Sequence, residues 1–227
     1  MSKKLYIELI LLIILGALTS LSLPPLNYLI INFFTFSFFF IFLINKLNQN
    51  KNSILFFIYG WMFGFGYFVS NLYWISISLT FDENFEFLIP ITIILIPAFL
   101  ALFYGLISYF FFILRTKKII TSFLIFSLIF GLLEFVRGSI LTGFPWNLIV
   151  YSFANQLEIL SITSIIGTYG FNLFCISLFT SPAIFILRNT KKSIGVLIFF
   201  LITIIIFYIH GISYKEKFFK EEKISYD

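Results

Sequence analysis

The sequence predicts an all-α protein, a polytopic membrane bundle of about seven transmembrane helices. Three observations lead there: an excess of apolar residues, their grouping into runs long enough to cross a bilayer, and basic residues confined to alternate connections. Of the 227 residues, 60% are hydrophobic and 11% are charged, with a mean hydropathy of +1.05. A soluble domain carries roughly a quarter of its residues charged, so this surface is built to face a bilayer. The 35 phenylalanines come with abundant Ile, Asn and Lys. They read as AT-rich coding plus lipid exposure rather than as a ligand box.

A spanning helix needs about 20 mostly apolar residues. Residues 5–23 make a first span, stopped by Pro24 and Pro25, whose rings and missing N–H end a helix. Residues 28–43 are a short second span. The third covers 53–79, the fourth 87–114, the fifth 119–136, the sixth 161–187 and the seventh 193–209. The basic start resembles a signal peptide. Its apolar run is long, contains Glu8 and leads straight into another span, so it reads as a retained helix.

An inside N-terminus places Lys3, Lys4, Lys46, Lys51, Arg115, Lys117, Lys118, Arg188, Lys191 and Lys192 in the cytoplasm. The outer connections then hold one basic residue, Arg137, with Asp82, Glu83, Glu86 and Glu158. That asymmetry satisfies the positive-inside rule at every connection. Seven crossings put the C-terminus outside. The chain accordingly divides into a transmembrane domain, 1–213, and an outside tail, 214–227, of mixed charge. The tail is either a plain terminus or the lead-in to a further domain.

The net charge of +5 is spread between spans and forms no single patch, so no nucleic-acid partner is expected. Cys175 is the one cysteine and His210 the one histidine, which excludes a disulfide framework and a Cys/His metal site. No Gly-rich phosphate loop is present, and no cofactor is expected. Cys175 lies mid-span among apolar residues, a poor setting for a nucleophilic thiolate.

Two segments stand out. In the third span Gly60 and Gly64 form a G-x-x-x-G pair, and Gly66 with Ser70 continues the small-residue spacing that lets helices approach closely in lipid. Tyr73 and Trp74 follow near its outer end, where aromatic residues form interfacial belts. In the second segment Glu134 and Arg137 are three apart, hence on one helical face. Ionisable groups in a span are costly and are paired or functional. These two read either as an ion pair that locks the bundle or as a polar feature at the mouth of a substrate site. Beyond them, Thr142, Gly143, Phe144, Pro145 and Trp146 cannot continue a helix, because Pro145 holds Phe144 towards extended backbone. A turn carrying Phe and Trp at the outer surface makes a lipid-facing rim. Gly167 and Gly170, opening the next helix, are expected as close-packing positions.

These runs resemble the membrane domain of the apolipoprotein N-acyltransferases. The likeness rests on Glu134-Phe-Val-Arg137-Gly138, then Leu141-Thr142-Gly143-Phe144-Pro145-Trp146-Asn147 and Tyr151-Ser152. Gly64-Phe-Gly66-Tyr67-Phe68, Tyr73-Trp74 and Ile166-Gly167-Thr-Tyr169-Gly170-Phe-Asn172 add to it in the same order. The resemblance implies a bacterial inner-membrane protein. It also implies an outward-facing nitrilase-like domain, set between the seventh and last helices, with a Glu, Lys and Cys triad. The triad cysteine takes an acyl chain from a phospholipid donor as a thioester and passes it to the N-terminal cysteine amine of a diacylated lipoprotein acceptor. Membrane lipids are the remaining partners. None of the triad positions is present here, so the resemblance implies a catalytically incomplete chain, a fragment or half of a split enzyme. Phe144, Pro145 and Trp146 match the family's lipid-access rim, and Tyr73 and Trp74 are further rim candidates.

Two rival classes follow from the residues themselves. A transporter is expected to carry ionisable or helix-breaking features near mid-bilayer in corresponding halves, whereas here they cluster at the outer ends. A membrane scaffold would bind other helices through its glycine positions.

Overall fold

The computed structural model describes residues 3–224 apart from 48, 50, 51, 141, 142 and 189, with side chains as far as 216. Lys51, Leu141, Thr142 and the last three residues of the tail lie outside the described residues. Among the described residues seven long α-helices and one short one make the bundle: α1 (Lys3–Ser20), α2 (Ile30–Leu47), α3 (Ser53–Leu72), α4 (Ile89–Leu114), α5 (Ile119–Ser139), α6 (Leu157–Leu160), α7 (Thr163–Leu187) and α8 (Lys191–Ile224). No strand occurs among the described residues. Six of the helical segments are apolar and long enough to cross a membrane by length and composition. The helix outside that set, α1, carries Lys3, Lys4 and Glu8 within 18 residues. Its acid is neutralised in the bundle, where Lys46 of α2 donates to Glu8 at 2.5 Å.

Local chemistry sets several boundaries. Asn52 caps α3, its side-chain oxygen accepting from the Ile54 amide at 2.9 Å and satisfying one of the open N-terminal donors. Pro90 sits in the first turn of α4, where its missing N–H costs nothing. The expected third span is shorter than its apolar run. Regular helix ends at Leu72, and Tyr73–Phe81 winds into a 3₁₀ segment. A second 3₁₀ segment, Glu83–Leu88, leads into α4, with the Asp82 side chain accepting from the Asn84 amide.

The strongest packing joins α3 to α4 and α1 to α3, followed by α5 on α7 and α2 on α7. Close approach explains the glycines of α3. A Cβ on Gly60 would stand 2.2 Å from the Tyr104 carbonyl oxygen, and one on Gly66 would stand 2.0 Å from that of Ile13. The two faces of α3 are therefore filled by the backbones of its neighbours. Gly167 behaves differently from expectation. A Cβ there would meet nothing within 4 Å, and its φ of +72° kinks α7. It is needed for backbone conformation, not for packing, and a Cβ on Gly170 would make only ordinary contacts.

The phenylalanines also do more than face lipid. Phe36, Phe39 and Phe40 of α2, Phe63 of α3, Phe111 of α4, and Phe126 and Phe130 of α5 are fully buried. Phe39 stacks on Phe63 with centroids 4.2 Å apart. Phe34, Phe38, Phe87 and Phe199 point outwards. Lipid exposure thus accounts for only part of the excess. The rest builds an aromatic core, in which flat rings fill volume with few rotatable bonds.

The helix that carries the expected seventh span does not stop near residue 209. α8 continues unbroken to Ile224, so the first part of the mixed-charge tail extends the last helix, with no break at 213. Lys215 on this extension reaches Glu158 of α6 at 3.1 Å. The Glu158 carboxyl is held below its usual range by its own backbone amide and then by Lys215.

Candidate functional site: a rim held by a buried arginine

Glu134 and Arg137 sit on the last two turns of α5, at 0% and 1% exposure. The two form a two-pronged pair: Arg137 Nη2 donates to Glu134 Oε2 at 2.8 Å, and Nε donates to Oε1 at 3.2 Å. This fork geometry is available to Arg and not to Lys. The remaining nitrogen, Nη1, turns the other way. It donates to the main-chain carbonyls of Phe144 at 2.8 Å and Trp146 at 3.1 Å. The guanidinium also lies 5.3 Å from the Phe68 ring centroid, an attractive arrangement for a desolvated cation.

One buried cation is thus shared between a carboxylate and the backbone of residues 144–146. The same stretch is held by two more bonds. The Phe144 amide donates to the Arg137 carbonyl at 3.2 Å, and the Tyr67 hydroxyl donates to the Asn147 carbonyl at 2.8 Å. Gly143 and Asn147 both adopt positive φ, +78° and +59°, the region that Gly and Asn enter most readily. Those two residues let the chain reverse at each end of the turn so that its carbonyls face inwards. Such inward carbonyls need buried donors, and Arg137 and Tyr67 are those donors.

With its backbone anchored, the turn presents side chains outwards. Pro145 is exposed, Trp146 is 59% exposed, and Phe144 is half-buried against the core. Tyr73 and Trp74, on the 3₁₀ segment after α3, are 61% and 47% exposed. They line an open groove of about 660 Å³ together with Pro24, Pro25, Asn71 and Asn147. The two groups of aromatic residues therefore meet through Asn147, which closes the turn and borders the groove. Asn71 borders this groove, and its Nδ2 is shielded and without a hydrogen-bond partner among protein atoms.

Sequence reasoning placed Tyr67 and Asn172 in the family-like runs but gave neither a role. Asn172 of α7 accepts from the buried Val150 amide at 3.0 Å and so secures the chain just after the turn. Tyr67 and Asn147 are 80 residues apart, and no local pattern joins them. Cys175 is fully buried. No cluster of His, Cys, Asp and Glu fit to hold a metal occurs among the described residues.

Residues 15–181 match the family model described as "Apolipoprotein N-acyltransferase N-terminal domain". The chain is similar to the apolipoprotein N-acyltransferase of Rhizobium etli, 34% identical over 199 residues, covering 81% of this chain and 36% of that protein. It is 37% identical over 181 residues to that of Rhodopseudomonas palustris, covering 78% and 33%. It is 33% identical over 176 residues to that of Brucella melitensis, covering 74% and 33%. The chain thus spans about a third of the length of the curated relatives it matches.

Proposed function

Because the chain belongs to the apolipoprotein N-acyltransferase family, we propose that it forms the membrane-embedded part of a lipoprotein acyltransferase. In that reading an acyl chain leaves a phospholipid donor and arrives on the N-terminal cysteine amine of a diacylated lipoprotein. The membrane part brings lipid to the outer surface and positions it; the nucleophile belongs to a nitrilase-like domain above it. One observation carries the reading: a fully buried Arg137 spends one nitrogen on the carbonyls of Phe144 and Trp146. Holding a rim rigid while its aromatic rings face outwards suits a surface that guides acyl chains. Phe144, Pro145 and Trp146 are the substrate-binding rim in this proposal, with Tyr73 and Trp74 as its second edge. Glu134 acts through Arg137 as a positioning residue.

Trp146 is expected at interfacial depth. With Trp61 and Trp74 replaced by Phe, its fluorescence should be quenched most by lipids brominated near the headgroup end of the acyl chain. Quenching confined to bromines near the bilayer centre, or absent altogether, would overturn the rim.

The proposed setting is the bacterial inner membrane, with the N-terminus cytoplasmic and the C-terminus periplasmic. An alkaline phosphatase fused at Asp227 should be active and a green fluorescent protein fused there dark. The opposite pair of results would reverse the orientation.

A further inference from the structure

At the end of the bundle opposite the rim, the α4–α5 and α7–α8 connections enclose a pocket of about 600 Å³. Lys118, Arg188, Lys191 and Lys192 line it, with Thr190 and Ile119 between them. All four cations are exposed, and none takes part in an ion pair among the described residues. Local acids cannot neutralise them, because residues 87–133 and 159–215 contain no Asp or Glu. The nearby hydroxyls are already engaged: Ser193 donates to the Arg188 carbonyl at 2.5 Å and lies 3.0 Å from the Thr190 hydroxyl.

The pocket does not end at its charges. It shares Ile120 and Lys192 with a second depression of about 370 Å³ running along α5 and α8. That trough is walled by Phe123, Leu124, Val196, Phe199 and Phe200. Gly195 opens it further, since a Cβ there would meet nothing within 4 Å. A polyanion in water has no use for an apolar trough, and a neutral lipid has no use for four unpaired cations. A cationic mouth continuous with an apolar trough at the membrane boundary has the polarity pattern of an anionic phospholipid.

We propose that this is a binding site for an anionic phospholipid of the cytoplasmic leaflet. The phosphate lies among Lys118, Arg188, Lys191 and Lys192, and the acyl chains lie along α5 and α8 over Gly195. Assignment to the cytoplasmic leaflet rests on the orientation proposed above; the site itself does not. Basic pockets between helices recruit acidic headgroups in this way. The bound lipid would tie α8, whose surface is mostly uncovered, to α5.

Native mass spectrometry of the full chain, with dioleoyl phosphatidylglycerol or dioleoyl phosphatidylcholine added, tests it. Preferential retention of one phosphatidylglycerol by about tenfold is expected, from a few near-surface cations acting together. The pair Lys118→Gln with Arg188→Gln should bring the two lipids close to parity. Gly195→Trp, which fills open space and leaves every charge in place, should lower retention of phosphatidylglycerol. Lys3→Gln with Lys4→Gln removes the same charge elsewhere on that side and should leave the preference intact. Equal retention of the two lipids by the unchanged chain would overturn the site. So would an equal loss in the Lys3/Lys4 variant, which would mark general surface charge, or displacement by excess inorganic phosphate, which would mark a soluble-anion site. Impermeant-maleimide labelling of Lys191→Cys in whole cells separates leaflet from site. Labelling from outside overturns the cytoplasmic assignment while the lipid preference stands.

Discussion

Replacing Arg137 with Gln is expected to destabilise the protein by roughly 3–5 kcal/mol, because it strands a fully buried Glu134 carboxylate. Glu134→Gln should cost a comparable amount by leaving the guanidinium with only carbonyls and a ring. The double variant should cost clearly less than the sum, since neither charge is then left alone. Thermal unfolding in detergent across this double-mutant cycle measures the coupling, and additive losses would show that the two do not depend on each other. The cycle also separates two jobs that the pair performs. Arg137→Gln removes the donor to the Phe144 and Trp146 carbonyls, whereas Glu134→Gln leaves it in place. Trp146 emission and protease sensitivity at the turn should therefore change more in the first variant than in the second. Arg137→Lys should behave as a loss, because one ammonium cannot reproduce a fork to Glu134 and reach two carbonyls at once.

These 227 residues by themselves are expected to give no detectable N-acyltransferase activity. Covalent acyl transfer needs a thiolate, a base and a stabilising cation within a few ångströms of one another. Cys175 is fully buried on α7, among the residues of the apolar core. Arg188, the next charged residue after it in sequence, lies about 20 Å further along at helical rise, and Glu158, the nearest before it, belongs to α6 on the far side of the Gly167 kink. Glu158 is taken up by Lys215 and Glu134 by Arg137. Loss of a whole catalytic set costs several orders of magnitude in rate. Expression in a strain depleted of its own enzyme, with a marker lipoprotein scored by mass spectrometry, checks this. Triacylated product that disappears on Cys175→Ser would place the chemistry inside the bundle and refute the proposal. Product that appears only when a nitrilase-like domain is co-expressed is the result expected of a lipid-supplying membrane part.

Composition and order were enough to determine an all-α membrane bundle, the place of each long helix along the chain except for where the third and last end, and its place in a family. Apolar run length and the stops at Pro24 and Pro25 act locally, so they can be read along the chain. The pairing of Glu134 with Arg137 was equally legible, because three residues on a helix place two side chains on one face. Other features depended on groups far apart in sequence. Tyr67 meets Asn147 across 80 residues, and Asn172 meets Val150 across 22. The same distance effect decided which phenylalanines face lipid and which stack inside. A hydropathy scale gives Phe34 and Phe36 the same value, yet one is 59% exposed and the other fully buried. Gly167 reads like any small residue until its positive φ is known, and α8 runs on past its apolar stretch into mixed-charge residues that hydropathy does not extend. The sequence by itself determined that there would be a membrane bundle with a charged pair and an aromatic turn near one of its ends. The tertiary structure decided that the turn is suspended from the pair, because only the folded chain brings the Phe144 and Trp146 carbonyls within hydrogen-bonding distance of Arg137.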